Sequence, residues 1–163
     1  MSVTFRFAKS TDVPFITRVY NQNIPKRTVT ADLTPASVTD ELKSFKQHNA
    51  QRPLWMIEDN GQKAGYVSLE SFYGRSAYHN TVEISIYIDN QFQHRGIGTQ
   101  TLKYIAEQTK RLNIHTILAF IFSVNIPSQR LFKSAGFEIY DHLPKVADMG
   151  NRIISLDILG KKY

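Results

Sequence analysis

The sequence predicts an α/β fold of the α+β kind, a mixed and mostly antiparallel β-sheet with helices on both faces. Three observations predict it. Segments that alternate apolar and polar residues recur along the chain at strand length. Two of them, Leu54 to Glu58 and Ala64 to Phe72, flank Asp59-Asn60-Gly61, a strong hairpin turn. Helical stretches then separate the later strands, and hairpins mixed with two crossover helices imply a mixed sheet with helices on its faces.

The elements follow in order. Val3-Thr4-Phe5-Arg6-Phe7 alternates and reads as a strand. Thr11-Asp12 offers a helix cap, after which Val13, Ile16, Val19 and Tyr20 recur at helical spacing. Asn21 to Thr34 is polar and interrupted, hence a loop. Thr34-Pro35 is expected to open a second helix that runs to about His48. After the hairpin and a loop from Tyr73 to Asn80, Thr81 to Ile88 alternates again. A helix begins at Gly96 and Gly98, with Gly98, Leu102, Ile105, Thr109 and Leu112 on its buried stripe. Thr116 to Phe122 is a β-rich apolar run, and Ser128 to Ala135 a short helix closed by Gly136. Phe137 to Tyr140 and Ile153 to Leu159 complete the order β-α-α-β-β-β-α-β-α-β-β.

Composition narrows the functional classes. The 163 residues suit one domain, expected over residues 1–163, with enough chain to bury a core without a disulfide or metal staple. The chain has no cysteine, which excludes a disulfide framework, a thiolate metal site and a cysteine nucleophile. The net charge of +6 is spread evenly, with ten Lys/Arg against seven Asp/Glu in residues 1–80 and again in residues 81–163. No basic arm, zinc-finger or basic-zipper pattern appears, so nucleic acid is not an expected partner. No apolar stretch approaches the ~20 residues of a membrane span, and the N-terminus lacks a signal-peptide pattern. A soluble cytoplasmic protein is expected. The five histidines, at 48, 79, 94, 115 and 142, lack metal-ligand spacing, so no metal is expected. Trp55, in a strand, reads as core.

The segment richest in chemistry is Gln93-His94-Arg95-Gly96-Ile97-Gly98-Thr99, which follows a strand and starts a helix. Glycines let the backbone come close to a ligand, and the free N–H groups of a first helical turn attract anions, phosphates above all. Arg95 adds a cation beside them. A dinucleotide fingerprint wants a third glycine where Thr101 stands, and an acidic residue at the end of the next strand, which Ala119-Phe120-Ile121-Phe122-Ser123 lacks. The Gly-Lys-Ser/Thr of a P-loop is also missing. Other pyrophosphate ligands remain, coenzyme A among them.

These residues carry a resemblance to the GNAT superfamily of N-acetyltransferases. Gln93-His94-Arg95-Gly96-Ile97-Gly98 resembles its Q/R-x-x-G-x-G/A loop, and Asn125-Ile126-Pro127-Ser128 followed by Ala135-Gly136-Phe137 resembles its second motif. More narrowly, Arg75-Ser76-Ala77-Tyr78-His79-Asn80-Thr81-Val82-Glu83-Ile84-Ser85-Ile86-Tyr87 is similar to the phosphinothricin acetyltransferase family. Arg6, Ala8, Asp12, Ile16, Tyr20, Asn21 and Pro35 match its N-terminal pattern. The resemblance spans nearly the whole chain.

It implies a GNAT-like sheet and transfer of an acetyl group from acetyl-coenzyme A, as cosubstrate, to the primary amine of a small amino acid or analogue. Glu83 would be the general base, acting directly or through water; otherwise it is a solvent-facing or salt-bridged strand residue. Ile86, Tyr87 and Ile88 would give backbone groups to the pantetheine arm. Gln93, His94, Arg95, Gly96, Ile97, Gly98 and Thr99 would hold the diphosphate. Asn125 would contact the cofactor or cap its helix, with Ser128 beside it. Arg75, Tyr78 and Thr81 would contact the acceptor, with Asn21 and Thr28 on the opposite wall; Arg75 reads equally as a free surface arginine. Phe132 stands where relatives have tyrosine or histidine, so no leaving-group acid is placed. Ile153 replaces a tryptophan of the narrower family, which leaves the acceptor open. A homodimer is expected from the resemblance only. Rival readings are an acetyltransferase for a peptide N-terminus or other amine, and an acyl-coenzyme A-binding regulator without turnover.

Overall fold

The computed structural model describes residues 2–163. Seven strands form one sheet in the order β1-β2-β3-β4-β5-β7-β6. They are β1 (Val3–Phe7), β2 (Leu54–Asp59), β3 (Gln62–Ser71), β4 (Thr81–Ile88), β5 (Thr116–Phe122), β6 (Glu138–Asp148) and β7 (Ile153–Lys162). All neighbours are antiparallel except β4 and β5. The helices are α1 (Val13–Asn21), α2 (Val38–Lys46), α3 (Ile97–Gln108) and α4 (Ile126–Ser134).

Alternation along the central strands sorts side chains to two faces. Trp55, Ile57, Val67, Leu69, Val82 and Ile84 pack with Leu102 and Ile105 of α3 and Phe132 of α4. Leu54, Met56 and Tyr66 point the other way, onto Ile16 and Val19 of α1. Helices therefore cover both faces, as expected, and Trp55 is core, 1% exposed.

Several boundaries differ from expectation: α3 stops at Gln108, short of Thr109 and Leu112, and β7 runs past Leu159 to Lys162. Three others have a local reason. Helix α2 starts at Val38 and not at Thr34-Pro35, because Ser37 is its cap: the Ser37 hydroxyl accepts from the Asp40 N–H at 3.1 Å. Helix α4 starts at Ile126, two residues early, because Asn125 Oδ1 takes the Ser128 N–H at 3.4 Å. Strand β6 continues past Tyr140 to Asp148 and includes Pro144. A proline lacks the N–H of a ladder bond, and β6 tolerates it as an edge strand with register shifts against β7. No helix of the described residues is long and apolar enough to cross a membrane.

Candidate active site

The parallel pairing of β4 with β5 covers only Thr81 to Glu83 against Thr116 to Leu118. Beyond Glu83 the strands part. Among the described residues no strand pairs with that side of β4 from Ile84 to Ile88, so its backbone groups there face away from the sheet ladder. A cleft of about 490 Å³ opens at this point. Ile86, Tyr87 and Ile88 form one wall, the turn and first residues of α3 a second, and the start of α4 a third. The segment after α1 closes the fourth side.

Of the predicted loop, Gln93, His94, Gly96, Ile97, Gly98 and Thr99 line the cleft. His94 and Gly96 both adopt left-handed backbone, with φ of 63° and 75°, which turns the chain sharply into α3. Gly98 serves a different contact: a Cβ there would sit 2.8 Å from Leu131 Cδ2, so the missing side chain lets α4 close on α3. Arg95 does not line the cleft. Its guanidinium is 3.5 Å from Asp59, donates to the Gln91 carbonyl at 3.2 Å, and lies over the Phe92 ring at 4.9 Å. Asn125 and Ser128 line the cleft, and so do Leu131 and Phe132. Phe132 is buried and packs edge-to-face on Phe137.

Glu83 lies beside the cleft and not in its lining. It shares a sheet face with Ser85 and Tyr87, and across the β3–β4 ladder it stands opposite Glu70, as Ser85 does opposite Ser68 and Tyr87 opposite Tyr66. Burial raises the Glu83 pKa, and the Glu70 charge raises it further. Burial, with Asp32 and Glu70 adding to it, pushes the Tyr87 hydroxyl up to about 12. Tyr87 meets the Tyr20 ring at 5.3 Å, and Tyr20 in turn bonds Thr30 at 2.7 Å and Asp32.

The predicted acceptor residues do not gather in the cleft. Thr28 lines it, but Asn21 binds the Ala36 backbone through both amide atoms, at 2.8 and 2.9 Å. Asn21 thus folds the segment after α1 without touching the site. Arg75 precedes a single helical turn, Ser76–Tyr78, and is exposed. Tyr78 packs on Phe72 and Tyr73. Thr81 pairs with Thr116 at the start of β4. Arg52 ties this loop to the sheet, donating to the His79 carbonyl at 2.6 Å and the Ser71 hydroxyl at 2.9 Å.

Several lining residues carried no expectation. Asn23, Lys26 and Val29 come from an aperiodic segment whose sequence gives no signal of its direction. Gly65 had a readable signal, a lone glycine inside a strand. A Cβ there would lie 2.3 Å from the Tyr87 carbonyl oxygen, so glycine allows β3 to approach the cleft-lining end of β4. Among the described residues, no three His, Cys, Asp or Glu side chains stand together as metal ligands.

Residues 18–137 match the sequence profile of the Acetyltransferase (GNAT) family. The chain belongs to that family. This GNAT acetyltransferase is 38% identical over 161 residues to YwnH of Bacillus subtilis (strain 168), provisionally named a phosphinothricin acetyltransferase, covering 98% of this chain and 99% of that one. It is 28% identical to the L-methionine sulfoximine/L-methionine sulfone acetyltransferase of Pseudomonas aeruginosa, over 98% of this chain and 94% of that protein. A crystal structure of a protein provisionally called a phosphinothricin N-acetyltransferase superposes with a TM-score of 0.94 at 39% identity, over 99% of this chain and 98% of the other. The Salmonella typhimurium protein yncA, solved with its cofactor acetyl-CoA, superposes with a TM-score of 0.90 at 26% identity, over 99% and 94%.

Proposed function

We propose that this GNAT protein transfers the acetyl group of acetyl-coenzyme A to the primary amine of a small amino acid or analogue, of the phosphinothricin or methionine sulfoximine kind. The observation that carries the reading is the meeting, in one cleft, of the free side of β4 and the N-terminal turn of α3. An extended pantetheine arm adds to the side of β4 that has no ladder partner beyond Glu83. Its diphosphate finds the N–H groups and dipole of a helix start shaped by Gly96. The relatives' names and the acetyl-CoA complex of yncA support the same chemistry.

In this reading the amine, once neutral, attacks the thioester carbon. A C–N bond forms, the C–S bond breaks, and the electron pair leaves on sulfur. Backbone N–H groups on the free side of β4, those of Ile86 and Ile88, stabilise the oxyanion that develops on the carbonyl oxygen. The ammonium proton goes to Glu83. Residues 83 and 87 on one strand are about 13 Å apart along its axis, so the proton crosses by water. Phe132 offers no proton, and the thiolate takes one from solvent. Thr28 marks the acceptor side of the cleft. Arg75, Tyr78, Thr81 and Asn21 stay outside the lining in this chain alone, and any contact from Arg75 or Tyr78 requires that their loop meet the acceptor from a second copy or by moving.

We take the assembly to be a homodimer built on the outer edge of β6, where Ile139, Tyr140 and Val146 are exposed on an edge strand. The lack of cysteine fits a reducing cytoplasm.

Incubation with acetyl-coenzyme A and a panel of amino acids, sulfoximine and phosphinate analogues, and short peptides tests the reading by release of free thiol. Thiol release with a small amino acid or analogue is expected. Release with peptides alone would replace the acceptor class. No acceptor-dependent release would favour a binding protein without turnover. Sedimentation velocity tests the dimer.

A further inference from the structure

The cleft contains a cation that the glycine loop does not supply. Arg95, the basic residue of that loop, is turned to Asp59 and Phe92, outside the lining. Among the described residues, no Asp or Glu lines the cleft, and one permanent cation, Lys26, does. Lys26 belongs to the segment after α1, on the wall that faces the β4–α3 connection. Its Nζ donates to Asn23 Oδ1 at 3.3 Å and to Asn90 Oδ1 at 3.1 Å. Both partners are neutral amides, and among the described residues no carboxylate forms an ion pair with this ammonium.

The anchor of this arrangement is buried, while Lys26 and Asn90 themselves are exposed to solvent and so to an incoming ligand. Asn23 is 5% exposed, and its Nδ2 donates to the Val19 carbonyl at 3.0 Å, which leaves Oδ1 to hold the lysine. Arg18 pairs with Asp89 at 2.8 Å, and the Gln22 side chain accepts the Asn90 N–H at 3.1 Å. These contacts fix the segment after α1 against the turn that enters the glycine loop. The result is one lysine, held by neutral oxygens, in the same cleft as a helix N-terminus. Desolvation by the cleft walls lowers its pKa, the cost of a cation with no anion beside it. An ammonium so placed gains most from a charged acceptor, where hydrogen bonds are strongest.

We infer that Lys26, and not Arg95, is the side-chain cation that binds a phosphate group of acetyl-coenzyme A. The inference rests on the acetyl-coenzyme A reading of the cleft and is independent of which amine is acetylated. The phosphate is either the diphosphate or the 3′-phosphate of the cofactor; the chemistry is the same.

Calorimetric titration of Lys26→Met, Lys26→Arg and Arg95→Met with acetyl-coenzyme A tests it. Lys26→Met is expected to weaken binding about tenfold or more, the size of a lost hydrogen bond to a charged group, and Lys26→Arg to recover most of it. Wild-type affinity falls with added salt, and the Lys26→Met variant falls less steeply. Repetition with acetyl-dephospho-coenzyme A separates the two phosphates. If Lys26 holds the 3′-phosphate, the variant loses nothing further on that ligand; if it holds the diphosphate, the loss persists. Lys26→Met binding acetyl-coenzyme A within twofold of wild type would overturn the inference, and so would a larger loss in Arg95→Met. Wild-type protein that binds no acetyl-coenzyme A would instead overturn the reading of the cleft on which it rests.

Discussion

Glu70 and Glu83 face each other across the β3–β4 ladder, in register and on one side of the sheet. Directly opposite residues of an antiparallel pair have Cβ atoms about 5 Å apart, so the two carboxylates repel. Burial raises the Glu83 pKa, and the Glu70 charge adds to it. In the proposed mechanism Glu83 is the general base and must be deprotonated to act, so kcat/KM is expected to fall on the acid side as Glu83 takes up a proton. Glu70→Gln removes the repelling charge and lowers the Glu83 pKa. The acid limb of the pH–rate profile is therefore expected to move to lower pH. An unmoved limb would separate the rate from this pair.

Removing the proposed base is expected to have a larger effect. Glu83→Gln keeps the shape of the side chain and loses the acceptor for the amine proton. kcat is expected to fall by about 10²–10⁴. Because Glu83 lies outside the cleft lining, acetyl-coenzyme A affinity should stay near wild type. Stopped thiol release together with calorimetric binding checks both halves, and near-normal turnover would remove Glu83 from the mechanism.

Gly65 tests the geometry of β4. A methyl group at this position meets the Tyr87 carbonyl at 2.3 Å and the Ile88 backbone at 3.0 Å, both backbone and hence slow to yield. Gly65→Ala is expected to cost about 2 kcal/mol or more in stability, the upper part of the range for overpacking. It should also weaken acetyl-coenzyme A binding by displacing Tyr87 and Ile88. Denaturant unfolding and the cofactor KM read the two effects.

Acid sensitivity follows from the buried carboxylates. Asp12 accepts from both guanidinium arms of Arg6, at 2.8 and 3.0 Å, which holds its pKa well below the usual range against the opposing effect of burial. Lys63 at 2.9 Å and the Lys9 N–H at 2.8 Å act the same way. Burial pushes Asp89 and Asp157 up, but the Gln91 N–H and Arg18 on one, and His142 and Gln129 on the other, bring both to a net lowering. A carboxylate with a depressed folded pKa gives stability that is complete above its unfolded pKa of about 3.9 and is lost as pH falls toward the folded value. Tm is thus expected to hold near neutrality and to drop below about pH 4. Asp12→Asn should cost about 3 kcal/mol at pH 7, because Arg6 and Lys63 lose a shared buried partner. It should also flatten the acid limb of the Tm curve. An acid limb as steep as wild type would exclude Asp12 as its source.

Short-range chemistry was legible in the chain. The alternation of Thr81 to Ile88 placed Glu83, Ser85 and Tyr87 on one face, and the structure has them there, with Val82 and Ile84 in the core opposite. The Gly96 turn and the Asn125 cap depend on contacts within a few residues, and they too could be read directly. The boundaries of α2 and β6 were less legible. Ser37 and Pro35 compete as start signals, and only the bond from Asp40 decides between them. Pro144 argues against a strand until β6 is known to be an edge.

What the sequence by itself determined is the fold class, the glycine turn that opens α3 and the strand that carries Glu83. Each depends on periodicity or on a local backbone requirement, and those survive in one dimension. Only the tertiary structure decided the pairings: Arg95 with Asp59, Glu83 with Glu70, Gly98 with Leu131, and Lys26 into the cleft. A side chain's charge and reach are written in its residue type, but its partner is set by strand register and helix packing, which bring together residues distant in the chain.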